Sequence, residues 1–424
     1  MRLRARWVLP ISSPPIDDGW VTIEGGGITA VGSGRADGGE AERDLGRVAL
    51  MPGLVNAHTH LELSYLAGAV APAARFTDWI RCVMALRRGQ PDPGAPTIVE
   101  AARSAIQSLR GAGTAAMADV SNTLVTVPLL NEGPIAAAVF FELLRFRAAD
   151  ADAVVEDADR RARDVHPAGH VRVWLAPHAP YSVSPRLFHA IRARLDGNAS
   201  SRTSVHLAES REEAALLAGT GGAFRDLLQD LGAWDDAWSA PGCGSVQYLD
   251  ELGFLGPRTL VVHGVQMTTG DLERLARSGA PLVTCPRSNR HVGAGDPPIE
   301  RFYASGVPIA VGTDSLASAP DLGVFGELAT LRALAPGVPA SRLLASATAV
   351  GARAIGCAAW LGSIEPGKLA ALIAIDVPAH VGDVEEYLVS GVASSQVHWP
   401  SPFNAATALD EGSWNASGPT APAV

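Results

Sequence analysis

The chain has 424 residues, 47% of them apolar and 18% charged, with a formal net charge of −10. That is enough apolar chain for a large ordered core, and the acidic balance, with no basic run, argues against a nucleic-acid partner. No apolar stretch approaches membrane-spanning length, the four cysteines form no CxxC, and the N-terminal apolar run is too short for a secretory leader, so a cytoplasmic protein with no membrane partner is expected. Residues 1–50 alternate and turn through glycines ("GWVTIEGGGITAVGSG") as short antiparallel strands do. Between 51 and 360 eight apolar, β-rich runs follow: "RVALMPGLVNAHTH", "GTAAMADV", "AAAVFFELL", "VRVWLAPHAP", "TSVHLAES", "TLVVHGVQ", "PLVTCPRSN" and "VPIAVGTDS". Helical patterns such as "TIVEAARSAIQSLRGAG" separate them. Continuous apolar strands alternating with helices indicate a parallel sheet covered on both faces, and eight such repeats predict an α/β fold, a (β/α)8 TIM barrel. Residues 361–424 return to strand character in "GKLAALIAID", so both chain ends are expected to form one small composite β-sandwich domain. The Pro/Gly/Ser/Ala-rich tail from about 401 reads as frayed.

Catalytic groups of such barrels lie at the C-terminal ends of the strands. Strand 1 ends in His58 and His60, strand 4 in His178, strand 5 in His206 with Glu209 just beyond, strand 6 in His263 and strand 8 in Asp314. One strand-end histidine is an ordinary structural group; histidines at four strand ends on one rim are not. Imidazoles plus a carboxylate suit a borderline divalent metal, and a site with a position left for water is a catalytic one. Glu209 suits proton transfer between that water and a substrate, and His263 suits holding developing negative charge. In an extended strand His58, His60 and Glu62 would share one face, which sets Glu62 beside the metal.

These residues resemble the amidohydrolase superfamily, in its deaminase and chlorohydrolase branch, through "PGLVNAHTH", "HLAES", "HG" and "GTDS". The resemblance covers nearly the whole chain. It implies one divalent ion, zinc or iron, held by His58, His60, His206 and Asp314. It also implies Glu209 as proton shuttle, His263 as the group orienting water and intermediate, and Asp314 as a base. Binuclear members bridge their metals with a lysine at the end of strand 4. Lys368, the only lysine here, lies beyond the barrel, so that centre is excluded. The other zinc deaminase class is excluded by the absence of P-C-x-x-C.

The resemblance implies hydrolytic deamination of an aminated N-heterocycle. His178 matches a substrate-contacting histidine of nucleoside-type deaminases. The H-x-H-x-E-x-S string around Glu62 is similar to that of aminodeoxyfutalosine deaminases of menaquinone biosynthesis, so a 6-aminopurine nucleoside is the expected small-molecule substrate. The competing structural reading pairs Glu62 with an arginine such as Arg145. Arg145 and Arg287 are candidates for a substrate carboxylate or for rim salt bridges. Trp79 reads as core packing, Ser288 and Asn289 as loop-fixing residues, and 232–245 as a lid or a surface insertion. The alternatives are a deaminase of S-adenosylhomocysteine, guanine or cytosine, a triazine-type chlorohydrolase, or a non-catalytic scaffold; a homo-oligomer is compatible with any of them.

Overall fold

The computed structural model of the protein describes residues 1–34, 41–410 and 413–415. Its strands begin with β1 (Arg2–Val8), β2 (Ile16–Glu24), β3 (Gly27–Ser33), β4 (Glu42–Asp44) and β5 (Val48–Pro52). The middle of the chain supplies β6 (Leu54–Thr59), β7 (Thr114–Ser121), β8 (Ala136–Leu143) and β9 (Val171–Pro177). These are followed by β10 (Thr203–Leu207), β11 (Thr259–His263), β12 (Leu282–Thr284) and β13 (Ile309–Val311). The chain closes with β14 (Leu372–Asp376) and β15 (Val397–His398). Every one of the eight apolar runs contains one strand of β6 to β13.

Strands β6 to β9 form one parallel sheet in sequence order, and β10 to β13 form a second. The sheets meet at both edges near their carboxyl ends. The His206 amide donates to the His178 carbonyl at 2.9 Å, and the Thr313 and Asp314 amides donate to the His58 carbonyl at 3.0 Å. A parallel bridge joins Thr59 to Asp314. This mixed α/β arrangement is consistent with a TIM barrel. Among the described residues no helix is long and apolar enough to cross a membrane.

Two cores follow from the layers. One lies between the strands and the outer helices, where helix Pro96–Gly111 buries Ala102, Ala105, Ile106 and Leu109 at helical spacing. The other fills the strands' inner faces with small residues, such as Ala116, Ala118 and Ala138, around Phe140 and Trp174. Phe403 and Trp414 belong to this inner core and are buried. The expected fraying from 401 is therefore corrected for 403 and 414, while 411–412 and 416–424 lie outside the described residues.

Both chain ends do join in one sheet of order β15-β14-β5-β1-β2-β3, with β4 pairing the first residues of β1 on the edge that β5 pairs farther along. At its far edge Gly27 of β3 bridges Leu369, and the Ile28 amide donates to the Lys368 carbonyl at 2.7 Å, so the sheet returns to the stretch just before β14. Its face packs Leu3, Val21, Leu50 and Leu372 against Ile364. The chain passes from this sheet into β6 at Gly53, where a Cβ would lie 2.6 Å from that of Ala115. Only glycine lets the two sheets approach so closely there.

Candidate metal centre

Strand β6 carries buried His58 near its carboxyl end and stops at Thr59, so His60 projects from the turn that follows. The Nε2 atoms of His60 and His206 are 3.3 Å apart. Asp314 Oδ1 lies 3.7 Å from His60 Nε2 and 4.0 Å from His58 Nε2. Four ligands at the 2.0–2.2 Å of a tetrahedral zinc site stand roughly 3.4 Å from one another, so this spacing fits one ion. Both ring nitrogens of His58 are buried and have no hydrogen-bond partner among the described residues. An unpaired buried imidazole is costly; a bound cation removes that cost. His263 also lies within ligand distance of His58 and Asp314.

The backbone is bent to present these groups. Ala208, His263 and Asp314, each at or just past a strand end, have φ of 51°, 79° and 61°. Non-glycine residues there are strained, and such strain gathers at functional sites. Glu213, fully buried, holds the 208–209 turn by accepting from the Ala208 amide at 2.9 Å and the Glu209 amide at 3.0 Å. Gly312 of "GTDS" would set a Cβ 2.6 Å from that of His58, so β13 approaches β6 only because this residue has no side chain.

Asp314 and His263 each have a partner that orients them. Ser288 Oγ donates to Asp314 Oδ2 at 2.6 Å, and Asn289 Nδ2 lies 3.0 Å from His263 Nδ1. With Nδ1 accepting, the His263 proton sits on Nε2, which is 3.5 Å from Glu209 Oε1. Ser288 and Asn289 thus orient the site rather than merely fix their loop. Burial pushes the Glu209 carboxyl well above the usual range, with Asp314 adding to the rise, which favours a protonated acid. Burial lowers His58 well below its ordinary value and takes His263 to about 3 and His178 to about 4, so all three rings are neutral. Burial works against charge on Asp314 too, but His60, His263 and Ser288 outweigh it and hold the carboxylate ionised. Among the candidate ligands, burial also lowers His60, and with neutral His58 and ionised Asp314 it is in a form that binds a metal. At His206 burial is outweighed by Glu142, which raises the ring to about 9, so a metal bound there would displace a proton.

These groups open on a cavity of about 420 Å³ walled largely by apolar side chains, among them Phe76, Trp79, Tyr181 and Phe224. His178, Glu209, His263 and Arg145 line it as well. Trp79 is therefore a wall of the cavity as well as a packing residue. Leu231, Gly232 and Ala233 close one side, and Trp234 and Trp238 pack on Phe146 with ring centroids 5.5 Å away. The start of the 232–245 stretch thus belongs to the cavity wall. Arg145 is exposed at the rim, and no carboxylate is paired with it among the described residues.

Two expected substrate contacts are corrected. Residues Leu61–Leu66 form a 3-10 helix, so strand alternation ends before Glu62. Its carboxylate turns from the cavity and accepts from Ser121 Oγ, Thr123 Oγ1 and the amides of Asn122 and Thr123 at 2.8–3.2 Å. The arginine it meets is Arg87, at 3.4 Å, and not Arg145. Arg287 also lies off the cavity: its Nε is 2.6 Å from the fully buried Glu327, and Nη1 is 3.0 Å from Asp321. Sequence reasoning missed Glu142, which lines the cavity with Oε1 3.3 Å from His206 Nδ1. The available signal was a lone carboxylate inside the apolar run "AAAVFFELL".

A profile of the amidohydrolase family matches residues 49–407, most of the chain, and the protein belongs to that family. It is 32% identical over 356 residues to the aminodeoxyfutalosine deaminase of Deinococcus radiodurans, covering 78% of this chain and 81% of that one. It is 28% identical over 415 residues to the 5-methylthioadenosine/S-adenosylhomocysteine deaminase of Moorella thermoacetica, covering 92% and 90%. The crystal structure of an adenosine deaminase from Xanthomonas campestris with bound zinc superposes with a TM-score of 0.77 at 27% identity, covering 93% of this chain and 90% of that one. The protein is accordingly a metal-dependent hydrolase acting on carbon–nitrogen bonds.

Proposed function

We propose that the protein is a nucleoside deaminase built on a closed (β/α)8 barrel, acting in the cytoplasm on a 6-aminopurine nucleoside, with aminodeoxyfutalosine of menaquinone biosynthesis as its substrate. The observation that carries this reading is the buried Glu209–His263 pair beside the His58, His60, His206 and Asp314 donors, opening on a large apolar cavity with Arg145 at its rim. The Deinococcus radiodurans relative supports the choice of substrate. One divalent ion, zinc as in the Xanthomonas campestris protein or iron, fits those four residues; when bound it supplies Lewis acidity and lowers the pKa of water.

The chain's own residues do the rest. Glu209 carries a proton to the ring nitrogen next to the carbon that bears the amino group, which makes that carbon electrophilic. His263 donates from Nε2 to stabilise negative charge as the carbon becomes tetrahedral, and Asp314 accepts a proton. Water adds to that carbon, the proton that water gives up to Asp314 passes to the amino group, the C–N bond breaks, and ammonia leaves with the water's oxygen remaining as the carbonyl. His178, neutral and held by Ser182 Oγ at 2.6 Å, contacts the nucleoside. The apolar walls exclude water from the ring, and Arg145 meets an anionic end of the substrate.

A second reading, a 5-methylthioadenosine/S-adenosylhomocysteine deaminase, is favoured by the Moorella thermoacetica relative, which matches along 92% of the chain. Ammonia release from aminodeoxyfutalosine, 5-methylthioadenosine, S-adenosylhomocysteine, adenosine and an aminotriazine separates the readings. The highest kcat/KM is expected for aminodeoxyfutalosine, with Arg145→Ala raising its KM. Activity confined to a triazine or a pyrimidine overturns the nucleoside reading.

A further inference from the structure

We propose that Glu142 is a positioning residue that holds the proton of His206 on Nδ1 and turns the ring so that Nε2 faces the metal. His206 Nδ1 has two acceptors beside it, Glu142 Oε1 at 3.3 Å and the His178 carbonyl at 3.1 Å. Two acceptors on one side fix the tautomer, which leaves the Nε2 lone pair directed at His60 Nε2, 3.3 Å away across the candidate ion. A carboxylate behind a metal-bound imidazole also makes the ring a better donor.

Glu142 is itself clamped. Asn122 Nδ2 donates to its Oε2 at 2.8 Å, and Arg87 Nη1 donates to Asn122 Oδ1 at 3.1 Å. Arg87 Nη2 in turn reaches Glu62 Oε1, which also accepts from the Asn122 amide at 3.1 Å. Glu62 therefore acts at a distance: it fixes the 121–123 loop, the loop fixes Asn122, and Asn122 aims Glu142. The Glu142 side chain is 4% exposed and both its oxygens are engaged, so it is built to hold a neighbour rather than to receive a substrate.

This inference rests on His206 being a metal ligand. The test titrates zinc-loaded wild type, Glu142→Gln and Glu142→Ala with a competing chelator, and records the visible spectrum of each cobalt-substituted protein. Loss of an outer carboxylate costs about 10–100-fold in metal affinity. That loss is expected for Glu142→Ala, together with an altered cobalt spectrum. Glu142→Gln, whose amide oxygen still accepts a hydrogen bond, is expected to fall between. Zinc affinity within about twofold of wild type in Glu142→Ala, with KM raised instead, overturns the proposal. If the alanine variant does not fold, unchanged zinc affinity and cobalt spectrum in Glu142→Gln overturn it. A wild type that retains no zinc sinks the metal reading as well, and so separates the two failures.

Discussion

A carboxyl group acts as an acid at neutral pH only where its surroundings raise its pKa, and Glu209 and Asp119 are two of the buried acids here that meet that condition, with different consequences. Glu209 is raised by burial and faces His263 Nε2 at 3.5 Å. Glu209→Gln keeps the shape and removes the transferable proton, so turnover is expected to fall at least ~10²-fold while metal content stays at the wild-type level. Metal analysis beside steady-state kinetics checks this; unchanged turnover makes Glu209 structural. Asp119 on β7 lies off the cavity, accepting from the Leu61 amide at 2.9 Å and from Thr126 Oγ1 at 2.6 Å. Burial raises it to about 7 from an ordinary 3.8. A raised folded-state pKa means that the protonated form is the one the fold prefers. Its contribution is complete below pH ~4 and is lost as pH climbs through ~7. Asp119→Asn mimics the protonated form, so the Tm difference between variant and wild type should move in the variant's favour from pH 5 to pH 7.5. A difference that is flat across that range contradicts the assignment.

Element by element, ion pairs tie the loops after the strands to the outer helices. Helix Pro286–His291 follows β12 and is joined to helix Val324–Leu334 by Arg287, which meets Glu327 from both its guanidinium and its amide. Burial alone would lower the arginine, but Glu327 and Asp321 outweigh it and raise it. Removing one partner of a buried pair costs about 3–5 kcal/mol. Arg287→Met is therefore expected to lower the unfolding free energy by ~3 kcal/mol, read by denaturant titration, and to leave KM unchanged because Arg287 is off the cavity. A raised KM with wild-type stability would return Arg287 to the substrate. The strand positions were legible in sequence because apolar runs of that length have few other solutions, and His58, His60, His206, His263 and Asp314 were legible because they end such runs. Glu62 was misread because alternation was extended past Thr59, where the chain leaves strand geometry. Glu213 was hidden in an ordinary helical pattern, "REEAALL", and its role depends on a positive φ at Ala208 that no residue type announces. Nor does sequence spacing reveal that Asn122, past β7, meets Glu142 on β8, since that contact exists only once the strands are in register.

The whole molecule separates its candidate reactive end from the end that carries stability, the division expected of a TIM-barrel arrangement. The candidate metal donors and the cavity stand at the carboxyl ends of the strands. The inner core extends away from them to a cluster in which Trp414 meets Trp174 at 5.8 Å and Trp360 at 5.2 Å between ring centroids. Phe403 and Ala405 belong to the same core, so the last described residues seal a layer whose strands contribute mainly alanine and valine. Small side chains on the strands leave room that large aromatics from the chain end must fill, because interiors are packed without voids. Trp414 is 6% exposed. Replacing a buried tryptophan by alanine costs about 3–5 kcal/mol. Trp414→Ala is thus expected to lower Tm clearly while kcat/KM and bound metal stay at wild-type values when measured well below the new Tm. Loss of activity in step with lost metal, at a temperature where the variant is folded, would mean that the two ends are coupled. An unchanged Tm would mean that the C-terminal segment does not seal the inner core.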